Sequence, residues 1–163
     1  MRYAFADWGR IPLNPTVYLE WKFNHDAPDA GEIKLLLTEE IAPRWHWGMN
    51  FFYEQEMGGG SETEMGVSQA LSYSLIDEKL GVGVEMQCNH VTEQGARSDP
   101  ALEFLAGPSL QWRPTPRIHL DLVPLMGVTH DAPRVWAWVV FGIDFGPGRN
   151  KAGPTTPVST RSR

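Results

Sequence analysis

The residues able to do chemistry are thinly spread in this chain. His119 and Asp121 stand two apart in IHLDLVPLMGV. Alternate side chains of a strand share a face, so imidazole and carboxylate would sit side by side. Joined by His46 or Glu54 they offer metal-ligand types, but no ligand spacing recurs. Joined by Ser68, Ser72 or Ser109 they offer a nucleophile, a base and an orienting carboxylate, the outline of a barrel enzyme acting on lipid. The sequence has no G-x-S-x-G elbow to present such a serine. GGG at 58–60 has no strand–helix context for cradling phosphate, and Cys88 reads as a small apolar filler. The expectation is no catalytic residue, no metal, no cofactor and no enzyme.

The elements that would position these residues follow a period of two. In RWHWGMNFFYEQEM, residues 44–57, Trp45, Trp47, Met49, Phe51 and Tyr53 fall on one side. His46, Gly48, Asn50, Glu54 and Glu56 fall on the other, and only Phe52 is out of place. Seven further alternating segments cover 16–23, 32–41, 62–75, 80–89, 101–113, 118–128 and 134–145. Period 2 outscores period 3.6 nearly everywhere. Pro108 and Pro124 interrupt two segments and call for a bulge or a shifted boundary, and Trp136 and Trp138 break the polar side of the last. Links alternate too. APR, IDEK and PTPR are short, whereas NHDAPDAG, the run containing GGGS, HVTEQGARSDP and THDAP are longer and polar.

The 163 residues suffice for one domain. A net charge of −6 gives no electrostatic footprint for nucleic acid, so no nucleic-acid partner is expected. The single cysteine excludes an internal disulfide. No apolar run approaches the roughly 18 residues of a membrane helix, and mean hydropathy is −0.32. A membrane barrel keeps a low mean because half its residues face a polar interior.

Short turns on one rim and long loops on the other, with one wholly apolar face, lead to an all-β reading. It is an antiparallel up-and-down (meander) transmembrane β-barrel of about eight strands over 1–145, complete or the C-terminal part of a larger one. The polar face would line the lumen with Glu20, Lys22, Lys34, Glu40, His46, Asn50, Glu54, Glu85, Gln87, Glu103, Gln111, Arg113, His119 and Asp121. These would form a hydrated network or steer solutes. Trp21, Trp45, Trp47, Tyr53, Tyr73, Trp112 and Phe145 would form the aromatic belts, and Glu39 is the clear charge on the apolar face. Residues 146–163 read as a disordered basic tail. The alternative is a soluble or periplasmic β-barrel, apolar face inward, binding a small apolar ligand.

DWGRIPLNPTVYLEWKF, IAPRWHWGMNFFYEQEM and GPSLQWRPTPRIHLDLVPLMGVT resemble the C-terminal strands of bacterial outer-membrane β-barrel proteins described as transporters, similar to the barrel family linked to aromatic-compound uptake. The resemblance spans about residues 1–145 and rests on strand and turn phrasing. It implies a bacterial outer-membrane location, a lipid bilayer as partner, passive transport of an unidentified small solute, and a homo-oligomer as one possible assembly. MRYAFADWGR lacks the form of a signal peptide, so the chain is expected to be truncated at its N-terminus.

Overall fold

A computed structural model describes residues 1–58 and 61–145. The basic 146–163 segment and two of the glycines of 58–60 lie outside them. Among the described residues every regular element is a strand: β1 (Arg2–Ala4), β2 (Thr16–Lys22), β3 (Asp29–Ala42), β4 (Trp45–Met57), β5 (Glu62–Ile76), β6 (Leu80–Glu93), β7 (Ala101–Thr115), β8 (Ile118–Gly127) and β9 (Val135–Ile143). They form one antiparallel meander in sequence order, with β9 unpaired to β1. Among the described residues no helix is long and apolar enough to cross a membrane, which says nothing of strands.

The period-two segments become these strands because alternation lets one face be enclosed and the other left open. β-branched and aromatic residues fill the open face. Charged and polar side chains are among the enclosed ones: Glu32 is 7 % exposed, Lys34 6 % and Asn89 1 %. The open ones are apolar: Val139 is 66 % exposed, Phe141 63 % and Val84 57 %. A single sheet hides side chains this well only by curling around them. The curl shows between β6 and β8, whose Cα atoms come within 8 Å across β7, against about 9.6 Å for two flat strand spacings.

The structure has nine strands where eight segments were expected. Three-residue β1 is too short to show a period, and it pairs Arg2, Tyr3 and Ala4 with Tyr18, Val17 and Thr16. β3 and β6 are also longer than their segments. The turn asymmetry holds from β2 onward, with residues 43–44, 77–79 and 116–117 as tight links. Residues 5–15, joining β1 to β2, break it, because this long link lies on the short-turn rim. There Asn14 donates to the Thr38 carbonyl at 2.9 Å, and Thr38 N–H donates to the Leu13 carbonyl at 2.7 Å. The same link explains Glu39, the charge on the apolar face, whose carboxylate accepts the Leu13 N–H at 2.5 Å.

The two prolines neither bulge nor end their strands. The β7–β8 register is the same on either side of them, Ala106 opposite Met126 and Leu110 opposite Leu122. That sets Pro108 against Pro124 at a position where each residue would ordinarily donate to the other. Two prolines facing one another lose the same pair of ladder bonds, so neither strips a bond from a third strand. Gly107 makes the approach possible, since a Cβ there would overlap the Pro124 carbonyl. Phe52 is placed by the same device. It lies on the polar face opposite Gly66, where a Cβ would meet its ring at 2.8 Å.

Candidate functional site

The enclosed face is the candidate site, and strand register decides which side chains meet there. Glu20, Glu32, Glu54 and Glu64 stand directly opposite one another on β2, β3, β4 and β5. Like charges so placed repel, and two ammonium groups offset this. Lys34, two residues along β3 from Glu32, reaches it at 2.9 Å. Lys22, two along β2 from Glu20, lies 2.8 Å from Glu54 and 3.8 Å from Glu32. The Lys34 ammonium also sits 5.6 Å from the Tyr18 ring centre. Side chains of Glu32 and Lys34 are almost fully enclosed, so each depends on the other for its charge to be tolerated.

Nearer the short-turn rim the face is polar but sparsely charged. His46 hydrogen-bonds Ser74 at 3.1 Å. Ser109 hydrogen-bonds the Glu85 carboxylate. Gln111 stands opposite Asp121, and the His119 ring lies over Gly142, where any Cβ would overlap it. Among the described residues no three His, Cys, Asp or Glu side chains gather as metal ligands, so His119 and Asp121 are not joined by His46 or Glu54.

Toward the long-loop rim of β7–β9 the enclosed face turns apolar. Leu105, Val123 and Leu125 are buried, and Trp136 and Trp138 pack on them with ring centres 5.9 Å apart. A shallow pocket at its border is lined by Gln87, Asn89, Glu103, Leu105, Pro133, Trp136 and Trp138. Gln87 donates to the Asn89 side-chain oxygen at 3.1 Å. His46 Nδ1, Asn50 Oδ1, Asp121 Oδ1 and Trp138 Nε1 are shielded on this face and have no protein hydrogen-bond partner.

Of the polar residues read as lining, Glu20, Lys22, Lys34, His46, Asn50, Glu54, Glu85, Gln87, Glu103, Gln111, Arg113, His119 and Asp121 lie on the enclosed side. Glu40 shares that parity but is exposed at the rim. The residues not named as lining are Glu32, Glu64 and Asn89, among the most enclosed polar groups, and the Trp136–Trp138 patch. Alternation places Glu32 with Lys34, but only register brings it opposite Glu20 and Glu54. Of the aromatic set, Trp21, Trp45, Tyr53 and Trp112 are exposed on the open face at 50 %, 41 %, 42 % and 47 %. Trp47 and Tyr73 are half-buried there, Tyr73 with its ring centre 5.1 Å from that of Trp45. Phe145 is exposed beyond the end of β9. Gln69 stands on the same open face between Met49 and Met86.

Models of known protein families give no match to the chain, and neither do curated proteins.

Proposed function

We propose that this chain forms the wall of an outer-membrane β-barrel through which small solutes pass passively. One observation carries the reading: burial is inverted. The ion pair Lys34–Glu32 is enclosed, while Leu19, Ile33, Phe51, Val84, Val139 and Phe141 are left open. A water-soluble sheet would do the reverse, because each apolar side chain moved out of water is worth about 1.5–3 kcal/mol. Lipid reverses the preference, and a meander of strands keeps backbone groups paired.

The dimensions agree. Trp45 and Tyr53 on β4 are eight residues apart, about 26 Å along the strand. At a tilt near 40° this is about 20 Å of height, close to the roughly 25 Å apolar band of such barrels. Polar atoms on the enclosed face that lack protein partners suit a hydrated interior. The resemblance of strand and turn phrasing to outer-membrane transporters points the same way.

The test is reconstitution of the full chain into lipid vesicles. The expected outcome is detergent-dependent solubility and faster efflux of small uncharged solutes than from protein-free vesicles. A soluble monomer in detergent-free buffer would overturn the membrane wall, and intact vesicles carrying inserted protein would overturn transport. The second reading, a soluble barrel holding a small apolar ligand, has the Leu105–Val123–Leu125–Trp136–Trp138 patch in its favour. It leaves the open apolar face without a reason.

A further inference from the structure

We infer that the pocket between β6, β7 and the start of β9 is a binding site for one neutral polyhydroxylated ring, a monosaccharide in its pyranose form. This deepens the transport reading by naming a solute class, and rests on that reading only in that the enclosed face is reached from the lumen.

Three pieces of chain build the pocket. On β6, Gln87 and Asn89 are two apart and share the enclosed face, and register sets them opposite Leu105 and Glu103 of β7. Both amides are buried. On β9, Trp136 and Trp138 stand on that face opposite Leu125 and Val123 of β8. The third piece is the link 128–134, which folds back over the enclosed face. Gly127 N–H donates to the Arg134 carbonyl, and a Cβ on Gly127 would overlap the Pro133 carbonyl. Pro133 thereby becomes a wall of the pocket beside the two indoles. The depression has about 250 Å³ of empty space, part of it open to solvent. That lies below the roughly 300–1,000 Å³ of drug-sized sites, so it takes one ring and not a chain of them.

Packing explains the indoles but not their polar border. The rings bury area against Leu105, Val123 and Leu125. Yet Trp138 Nε1 is shielded and has no protein acceptor, and a buried indole N–H ordinarily has one. Gln87 donates to the Asn89 oxygen at 3.1 Å. That bond uses the Asn89 oxygen and one Gln87 N–H, so what the pair offers a ligand is the Gln87 oxygen and the Asn89 N–H groups. The Glu103 carboxylate accepts. A matching ligand therefore donates to Glu103 and Gln87 and accepts from Trp138 and Asn89. A hydroxyl does both, and a pyranose carries several around its rim. Its ring C–H groups, slightly positive, suit the negative face of an indole. A purely apolar ligand would leave the amides and the indole N–H unanswered. A quaternary ammonium would meet the rings and the carboxylate but give the indole N–H and Asn89 no acceptor. The rings are inclined at 65°, one platform with an edge beside it, and not the parallel walls that clamp a flat aromatic ligand.

The test titrates the full chain in detergent micelles with methyl β-glucoside, following tryptophan emission, with choline and benzyl alcohol as comparison ligands. Saturable binding with a dissociation constant of about 1 mM is expected, and both comparison ligands about tenfold weaker or worse. Trp138→Phe keeps an aromatic ring and removes the N–H, and should weaken glucoside binding about fivefold. Glu103→Gln keeps the shape and removes the charge, and should weaken it about tenfold. Trp112→Phe, on the open face, should leave it unchanged. Circular dichroism checks the strand content, and if one pocket variant fails to fold the other carries the test. No saturation, unchanged affinity in the folded pocket variants, or choline or benzyl alcohol binding as tightly as the glucoside overturns the inference. A chain that binds the glucoside as a soluble monomer without detergent keeps the site and loses the membrane wall. A chain that inserts into vesicles and releases solutes but does not bind the glucoside keeps the wall and loses the site.

Discussion

The inverted burial makes Phe51 a discriminating position. It is the middle residue of β4, six from Trp45 and six from Met57, and 45 % exposed on the apolar face between Leu35 and Val67. Between the proposed Trp45 and Tyr53 belts the midpoint is Met49, and Phe51 lies two residues from it, about 5 Å of height at a tilt near 40°. An arginine there would sit near the bilayer midplane. Relative to Phe51→Ala, which removes the same ring, Phe51→Arg is expected to cost about 2–4 kcal/mol in lipid. That corresponds to roughly 30- to 800-fold in the folding equilibrium. In water, a charge at such an exposed site would stay within about 0.5 kcal/mol. Met57, on the same strand and face and 49 % exposed, is the control: Met57→Arg against Met57→Ala should cost about 0–1 kcal/mol at the interface. The assay is urea unfolding from lipid vesicles, followed by tryptophan emission. A Phe51→Arg cost equal to that at Met57, or below about 0.5 kcal/mol, would refute the lipid-facing assignment.

Three further outcomes are expected. Lys34→Met should destabilise the fold by about 3–5 kcal/mol by stranding enclosed Glu32, and adding Glu32→Gln should recover most of this; denaturant midpoints of single and double variants check it. Gly107→Ala should cost about 1–3 kcal/mol, because its Cβ overlaps the Pro124 carbonyl, whereas Gly31→Ala should stay within about 0.5 kcal/mol. At Gly31 the new Cβ meets the Trp21 ring at 3.4 Å, and the same unfolding assay separates the two. In variants with one tryptophan each, brominated acyl chains should quench Trp21, Trp45 and Trp112 but spare Trp138; quenching of Trp138 would show that the faces are assigned wrongly.

The strands and their two faces were legible in the sequence because a period of two is a local property. Tyr18, Glu20 and Lys22 oppose Val17, Leu19 and Trp21 whatever else the chain does. The rim asymmetry was legible because turn residues such as those of APR and PTPR act within a few positions. Local pattern carries no sign, however, so alternation alone does not state which face is enclosed. The curl of the whole sheet set that, placing Lys34 and Asn89 inside and Val139 and Phe141 outside. Register is likewise a property of strand pairs. It aligned Glu20, Glu32, Glu54 and Glu64, set Pro108 against Pro124 and fitted Phe52 over Gly66. β1 was hidden because three residues define no period, and it forms only because β2 offers an edge. The odd strand count that leaves β9 and β1 pointing the same way follows from that pairing, and no segment of the sequence contains it.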